Sequence, residues 1–431
     1  MSTTPRIAPN HPDRQPGPRG GGLDSPRRHP FFMPLSPPDV SPAYPAALPA
    51  SLPELPRVLG DIGRSADGNT LVVLSGVHGN EPAGVEGLRR VLARIEALDC
   101  ALTGRLLCLI GNRAALAVGQ RFLAEDLNRI WLPERLERAH AGIAGPSPEE
   151  HELAELDRHI GEALSSARGT TYVLDLHTTS GPGPAFVVVH DTLPNRAFAR
   201  AMRLPFVLGL EEELTGTLID HLTDRGAVSI TVEAGQHRSA ASADRAEAAI
   251  WIALDVAGLA AACHRPGVEA AQKRLEREVD GLPPAVEVLY RHAIRDEDGF
   301  RMAPGFASFQ PVSARQVVAE DRQGPVASPR AGRLLMPLYQ ALGDDGFFVT
   351  RPVREAWLRL STALRRWRLE RYLHWLPGIQ EVPERSGVFM VDRRVARWLA
   401  LEIFHLLGFR RLEATDSHLI MARRSHDLIE K

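Results

Sequence analysis

Between residues 57 and 265, short apolar runs alternate with amphipathic stretches, and this alternation constrains the fold more than any other feature. The runs 71–74, 106–110, 172–176, 185–190 and 228–232 are too short for buried helices and are bounded by turn residues, so they read as buried strands. Segments 85–98, 151–165 and 241–262 place apolar residues three and four apart, the spacing of a helix that buries one face. Strands alternating with helices predict an α/β layer built on a parallel or mixed sheet.

The flanking segments differ in character. Residues 1–56 are rich in Pro, Gly, Arg and Ser, with Gly20-Gly21-Gly22 and Pro37-Pro38 interrupting any period, and are expected to be a disordered tail. Its basic patch, Arg27-Arg28-His29, reads as solvated. Residues 266–352 predict a linker helix over 266–281, then short strands at 286–294, 307–309, 316–319, 333–336 and 346–350 separated by Gly and Pro, hence a small β-rich domain. Residues 353–431 form an extension without a chemical motif. A basic amphipathic helix over 354–375, carrying Trp357, Trp367 and Trp375, is expected to pack on the main body, followed by a strand–helix–strand unit at 388–391, 395–407 and 418–422.

Composition narrows the function classes. A net charge of −2 over 431 residues argues against a nucleic-acid or polybasic membrane surface. No apolar run approaches the ~20 residues of a membrane-spanning helix. The first residues lack the pattern of a secretory signal. The three cysteines, Cys100, Cys108 and Cys263, form no CxxC pair and no disulfide framework, and Cys108 lies in an apolar run; a reducing cytoplasm is the expected compartment.

Chemistry-bearing residues recur where the apolar runs end. His78-Gly79-Asn80-Glu81-Pro82 follows the run 71–74, and carboxyl ends of strands are where α/β sites collect. An imidazole and a carboxylate three apart can chelate one metal, with Gly76 and Gly79 permitting the tight backbone. Alone, such a pair is weak, since chance matches are common. His177 closes the run 172–176 and supplies a third ligand; alone it would read as a hydrogen-bonded core histidine. Asp175 is placed to orient an imidazole. Glu233 ends the run 228–232 before Gly235 and could serve as a general base, the bland alternative being a solvated or capping carboxylate. Arg121 and the Asp126-Leu127-Asn128-Arg129 stretch could stabilise an oxyanion and grip a substrate carboxylate, although such charges are usually surface residues.

In order along the chain, HGNEPAG, RF…DLNR, DLHTT and VEAG resemble the succinylglutamate desuccinylase/aspartoacylase family of the zinc carboxypeptidase-like superfamily, over about residues 57–352. The resemblance implies a mixed-sheet catalytic domain over 57–265, a small β-barrel domain within 266–352 and a small α+β extension beyond. It implies one zinc ion (Zn2+) per chain on His78, Glu81 and His177, Glu233 as base, and Arg121 as the arginine that polarises the carbonyl. Asn128 and Arg129 would bind the carboxylate of an N-acylated small molecule. The family's further substrate arginine has no counterpart at its offset, Arg225 being the nearest, and its substrate tyrosine has no match near Phe347-Phe348. The expected activity is removal of an acyl group from an N-acyl amino acid. A peptide-cleaving metallo-carboxypeptidase and a non-catalytic zinc-binding scaffold are the alternatives.

Overall fold

A computed structural model describes residues 55–63, 68–143, 145–237, 239–383, 385–392, 394–395, 400–415 and 417–427. The tail expected over 1–56 lies outside them, save for 55–56.

The strands β1 (Val58–Ile62), β2 (Thr70–Ser75), β3 (Arg105–Ile110), β4 (Thr171–Thr179), β5 (Phe186–Val189), β6 (Phe206–Leu208), β7 (Val228–Gln236) and β8 (Ala285–Ala293) lie in one sheet in the order β1-β3-β2-β4-β7-β5-β6-β8. β2 is parallel to both β3 and β4, and β4 is parallel to β7, whereas β1 and β5 run antiparallel to their neighbours β3 and β7. The sheet is therefore mixed, as the alternating pattern predicts.

The central strands read as unbroken apolar runs because both faces are covered. Side chains alternate across the pleat. Leu71, Val73, Leu106 and Leu174 meet the helices Ala83–Leu98 and Ala240–Val256 on one side. Val72, Leu74, Leu107 and Val173 meet the helices Pro148–Ser166 and Leu218–Asp224 on the other. β4 and β7 run past their expected ends, so His177 and Glu233 lie inside paired strands, and these two residues are register partners.

The segment expected to be a small β-barrel is two sheets. β8 pairs in parallel with β6, matching Phe206 to Ala285, and the strands Asp345–Pro352, Gly332–Leu335 and Pro311–Val312 follow it, so the central sheet reaches eleven strands. A separate three-stranded sheet holds Arg301–Met302, Val317–Asp321 and Gly324–Ala327. The strand expected at 307–309 is a turn, with Phe309 at a φ of 67°. The linker helix is present as Arg265–Glu278.

In the extension, the expected long helix stops at Arg366, and Arg368 takes a φ of 52° before a 3-10 stretch, Leu369–Trp375. Beyond it a four-stranded antiparallel sheet runs in the order Ile379–Glu381, Val388–Asp392, His418–Arg423, Phe409–Ala414. Its first and last strands in that order were not expected. Trp357, Trp367 and Trp375 are exposed; the buried face of the helix Glu355–Arg366 carries Leu358, Ser361 and Arg365 instead.

Charges hold this extension to the main body. The Arg365 side chain is 0% exposed and donates to Asp191 Oδ2 and Asp427 Oδ1, both at 2.9 Å. The buried Arg424 donates to Glu211 at 2.8 Å. His405 Nε2 sits 2.9 Å from Glu212 Oε1, an ion-pair contact without an aligned hydrogen bond. Burial alone would lower the His405 pKa, but Glu212 and Glu287 raise it to about 9.

Cys100 and Cys263 form a disulfide across a Cα–Cα distance of 6.7 Å, and Cys108 is the buried free thiol. Spacing of 163 residues concealed that pair, and cysteine usage therefore no longer argues for a reducing compartment. Among the described residues, no helix is long and apolar enough to cross a membrane.

Removing one member of a buried ionic cluster strands the others in low dielectric, so Arg365→Met is expected to cost about 3 kcal/mol in denaturant unfolding. A loss below about 1 kcal/mol would mean the cluster does not hold the extension. The His405 pKa lies above its usual value of about 6.5. Its stabilisation is therefore full below about pH 6.5 and lost as pH rises through about 9. His405→Gln should lower the melting temperature more at about pH 6 than at about pH 10; an equal shift at both would exclude the ion pair as the cause.

Candidate metal centre

The β2 end and the loop after it build the first part of the site. Gly76, at a φ of 72°, turns the chain out of the strand, and its carbonyl accepts from Asn112 N–H at 2.8 Å. At Gly79 a Cβ would stand 2.1 Å from the Ala115 carbonyl carbon, so a side chain there would displace the backbone. These two glycines deliver His78 and Glu81 to the carboxyl edge of the sheet. Pro82 then caps the helix Ala83–Leu98.

Glu81 is 2% exposed and fully engaged. Its Oε1 is 2.8 Å from His78 Nδ1, and its Oε2 accepts the Thr178 N–H at 2.7 Å and lies 3.4 Å from His177 Nδ1. Burial opposes its charge, but the two imidazoles hold its carboxyl well below the usual range. The far nitrogen of each imidazole is also held by a carboxylate: His78 Nε2 by Asp126 Oδ1 at 3.0 Å, and His177 Nε2 by Asp175 Oδ2 at 2.9 Å. A neutral imidazole carries one N–H. Here each ring has acidic oxygens at both nitrogens, an arrangement that calls for positive charge between the Nδ1 atoms and Glu81. His78, Glu81 and His177 have donor atoms within 4.8 Å of one another and could hold a metal ion. Asp126 and Asp175 stand behind the two imidazoles, and carboxylates so placed fix ring orientation at metal centres.

Glu233 lies beside this group on β7. Its Oε2 is buried and has no hydrogen-bond partner among the described residues. Burial first, and then the charges of Glu81 and Asp175, push its pKa up to about 8, against the lowering effect of His177 and Arg121. An orphaned buried oxygen beside three convergent ligand atoms fits a centre whose remaining position takes water or substrate.

The sequence segment 121–129 closes the site. Arg121 Nη2 donates to Asp126 Oδ2 at 2.9 Å, and its Nη1 is 3.6 Å from Glu81. Glu149, buried at the start of the helix Pro148–Ser166, accepts the N–H groups of Leu123 and Ala124 at 2.7 and 3.2 Å and so sets the course of this segment. Asn128 Oδ1 accepts the Leu218 N–H at 2.9 Å, leaving its NH2 to donate. Arg129 Nη2 donates to Asp345 Oδ2 at 3.1 Å.

All seven residues singled out from the sequence, His78, Glu81, Arg121, Asn128, Arg129, His177 and Glu233, line one cavity. Arg225 does not; it donates to Asp157 at 2.7 Å. Phe348 lines the cavity, while Phe347 packs in the neighbouring core. Sequence reasoning missed His237 and Gln340. His237 Nδ1 meets Thr178 Oγ1 at 2.7 Å, and its Nε2 is 3.0 Å from Gln340 Oε1, which also accepts from Asn80 at 2.9 Å. His237 lies four residues past Glu233, a signal that was available; Gln340 carried none. Met336, Leu338, Gln340 and Asp345 place one wall of the cavity on the β-rich segment.

Residues 67–255 match the model of the Succinylglutamate desuccinylase/Aspartoacylase catalytic domain. A succinylglutamate desuccinylase of Serratia proteamaculans is 30% identical over 175 residues, 39% of this chain and 52% of the relative. That of Paraburkholderia xenovorans is 27% identical over 271 residues, 58% of this chain and 72% of the relative. Others, such as that of Pseudomonas aeruginosa, are matched over only 33% of their length, so the chain spans a third to about half of most of these relatives. A crystal structure of a succinylglutamate desuccinylase/aspartoacylase from Rhodobacter sphaeroides superposes with a TM-score of 0.51 at 18% identity, covering 69% of this chain and 88% of that one; this likeness concerns the fold.

The two carboxylates behind the imidazoles make a measurable difference. Asp175→Asn is expected to weaken divalent-metal binding by roughly 10–100-fold in a metal titration. Unchanged affinity would show that Asp175 does not orient the imidazole.

Proposed function

We propose, from the match of residues 67–255 to the succinylglutamate desuccinylase/aspartoacylase catalytic domain, that this chain is a zinc-dependent deacylase that hydrolyses an N-acyl amino acid. The observation that carries the proposal is the paired imidazoles of His78 and His177. Both turn Nδ1 toward Glu81, both are held from behind by a carboxylate, and both stand beside the orphaned Glu233 oxygen in one cavity.

His78, Glu81 and His177 would hold the zinc. When bound, it supplies Lewis acidity, polarising a carbonyl oxygen and acidifying water. Glu233 takes a proton from the attacking water on its unpartnered Oε2 and later returns it to the departing amine nitrogen. Arg121, fixed by Asp126, donates to the acyl oxygen as negative charge grows there. The Asn128 amide and the Arg129 guanidinium hold the substrate's carboxylate. The wall formed by Met336, Leu338 and Gln340 narrows the cavity and favours small acyl amino acids over long peptides.

Glu233→Gln is expected to keep zinc at full stoichiometry while lowering turnover of an N-acyl amino acid by roughly 10²–10⁴-fold. His177→Ala should lose the metal itself. Full activity in zinc-loaded Glu233→Gln protein would remove Glu233 from the base role, and full zinc occupancy in His177→Ala would refute the ligand set.

A further inference from the structure

The cavity extends beyond the metal ligands, and the loop 210–219 makes much of its wall. Three contacts bind this loop to the carboxylate-binding stretch. Leu218 N–H donates to Asn128 Oδ1 at 2.9 Å, and Trp131 N–H donates to Gly216 O at 3.1 Å. At Gly216 a Cβ would stand 2.2 Å from the Arg129 carbonyl oxygen, so the two backbones touch. Leu214 and Ile219 are thereby brought beside Asn128 and Arg129. Val188, Leu210, Met336 and Phe348 line the same cavity and belong to, or pack against, one apolar cluster.

The charges there are already matched. Among the described residues, the arginines lining the cavity are Arg121 and Arg129. Arg121 is held by Asp126, and Arg129 shares its Nη2 with Asp345. Asp345, which lines the cavity with Asp344, accepts from Arg291 at 2.5 Å as well as from Arg129, so both guanidiniums are engaged and a second substrate carboxylate would meet hydrocarbon and no unpaired guanidinium among the described lining residues. Arg225, the cation nearest in sequence to the family's further substrate arginine, is turned away to Asp157.

We infer that the substrate's amino-acid half has one carboxylate and an aliphatic or aromatic side chain, the side chain seated against Leu214, Ile219, Met336 and Phe348 while the carboxylate rests on Asn128 and Arg129. The inference rests on the deacylase reading. Burying a large apolar side chain against this wall favours binding. Placing an ionised carboxylate there without a free cation costs more than it returns.

The test uses the zinc-loaded full chain and the acetyl and succinyl amides of leucine, phenylalanine, aspartate and glutamate. The expected result is a kcat/KM for the leucine and phenylalanine amides at least about 10-fold above that for the acidic ones. Equal values, or preference for the acidic amides, would overturn the inference and leave the deacylase reading standing. Hydrolysis of none of the eight would overturn the deacylase reading, and the inference with it. Leu214→Arg, at a half-buried position that can admit a guanidinium, should shift the ratio about 10-fold toward aspartate and glutamate. An unmoved ratio in folded Leu214→Arg protein would show that the side chain does not lie on this wall. Should that variant fail to fold, Leu214→Ala is expected to lower kcat/KM for the leucine and phenylalanine amides and not for the acidic ones, and unchanged values for all of them would overturn the inference.

Discussion

The Glu81 carboxylate is the contact around which the site is organised. It is a buried charge, and a buried charge must be surrounded by positive groups and donors. Its two oxygens reach a residue on the β2 loop, a backbone N–H on β4 and an imidazole on β4. One side chain thereby joins the ends of two strands that sequence order separates by about a hundred residues. The outer carboxylates follow from it, because imidazoles aimed at Glu81 present their other nitrogens to Asp126 and Asp175. Four carboxylates, Glu81, Asp126, Asp175 and Glu233, surround two imidazoles and Arg121. Electrostatics of that kind favour a cation at the centre.

Much of this was legible in the sequence because the polar residues of the site lie at or shortly after the ends of apolar runs. A buried strand announces itself by continuous hydrophobicity, and the first polar residue after it marks the sheet's carboxyl edge. His177 and Glu233 directly follow their runs, and His78 stands four residues past its own. Their register was not legible: strand pairing, which sets His177 against Glu233, is decided by contacts between segments rather than within one. Asp126 was visible only as part of a motif, and its role behind His78 needed the fold. Gln340 lies in a loop with no period and no motif, and reaches the site only because the β-rich segment folds back upon it.

The limits of local reading show most clearly after residue 283. Short strands separated by Gly and Pro predict a β-rich unit, and strands did form. Whether such strands close on themselves or continue a neighbouring sheet depends on the edge available to them. Here β6 leaves an edge open, and β8 fills it. Edge pairing leaves no trace in a single segment's composition. The extension gives a similar lesson. The apolar spacing of 354–375 suggested one helix, and the left-handed Arg368 ends it. The tryptophans of that stretch are exposed, and the buried face of its helix includes Arg365.

The junction of β6 and β8 carries one further consequence. Glu233 on β7 and the cavity-lining Phe348 on the strand Asp345–Pro352 belong to a single hydrogen-bonded sheet, joined through β5, β6 and β8. A sheet resists bending across its strands, because each ladder would have to break. The two sides of the cleft therefore cannot swing apart as hinged halves, and the bore of the cleft is set when the chain folds. Selectivity in such a site resides in the equilibrium shape of a standing mould, and small wall substitutions should retune it without altering any opening motion.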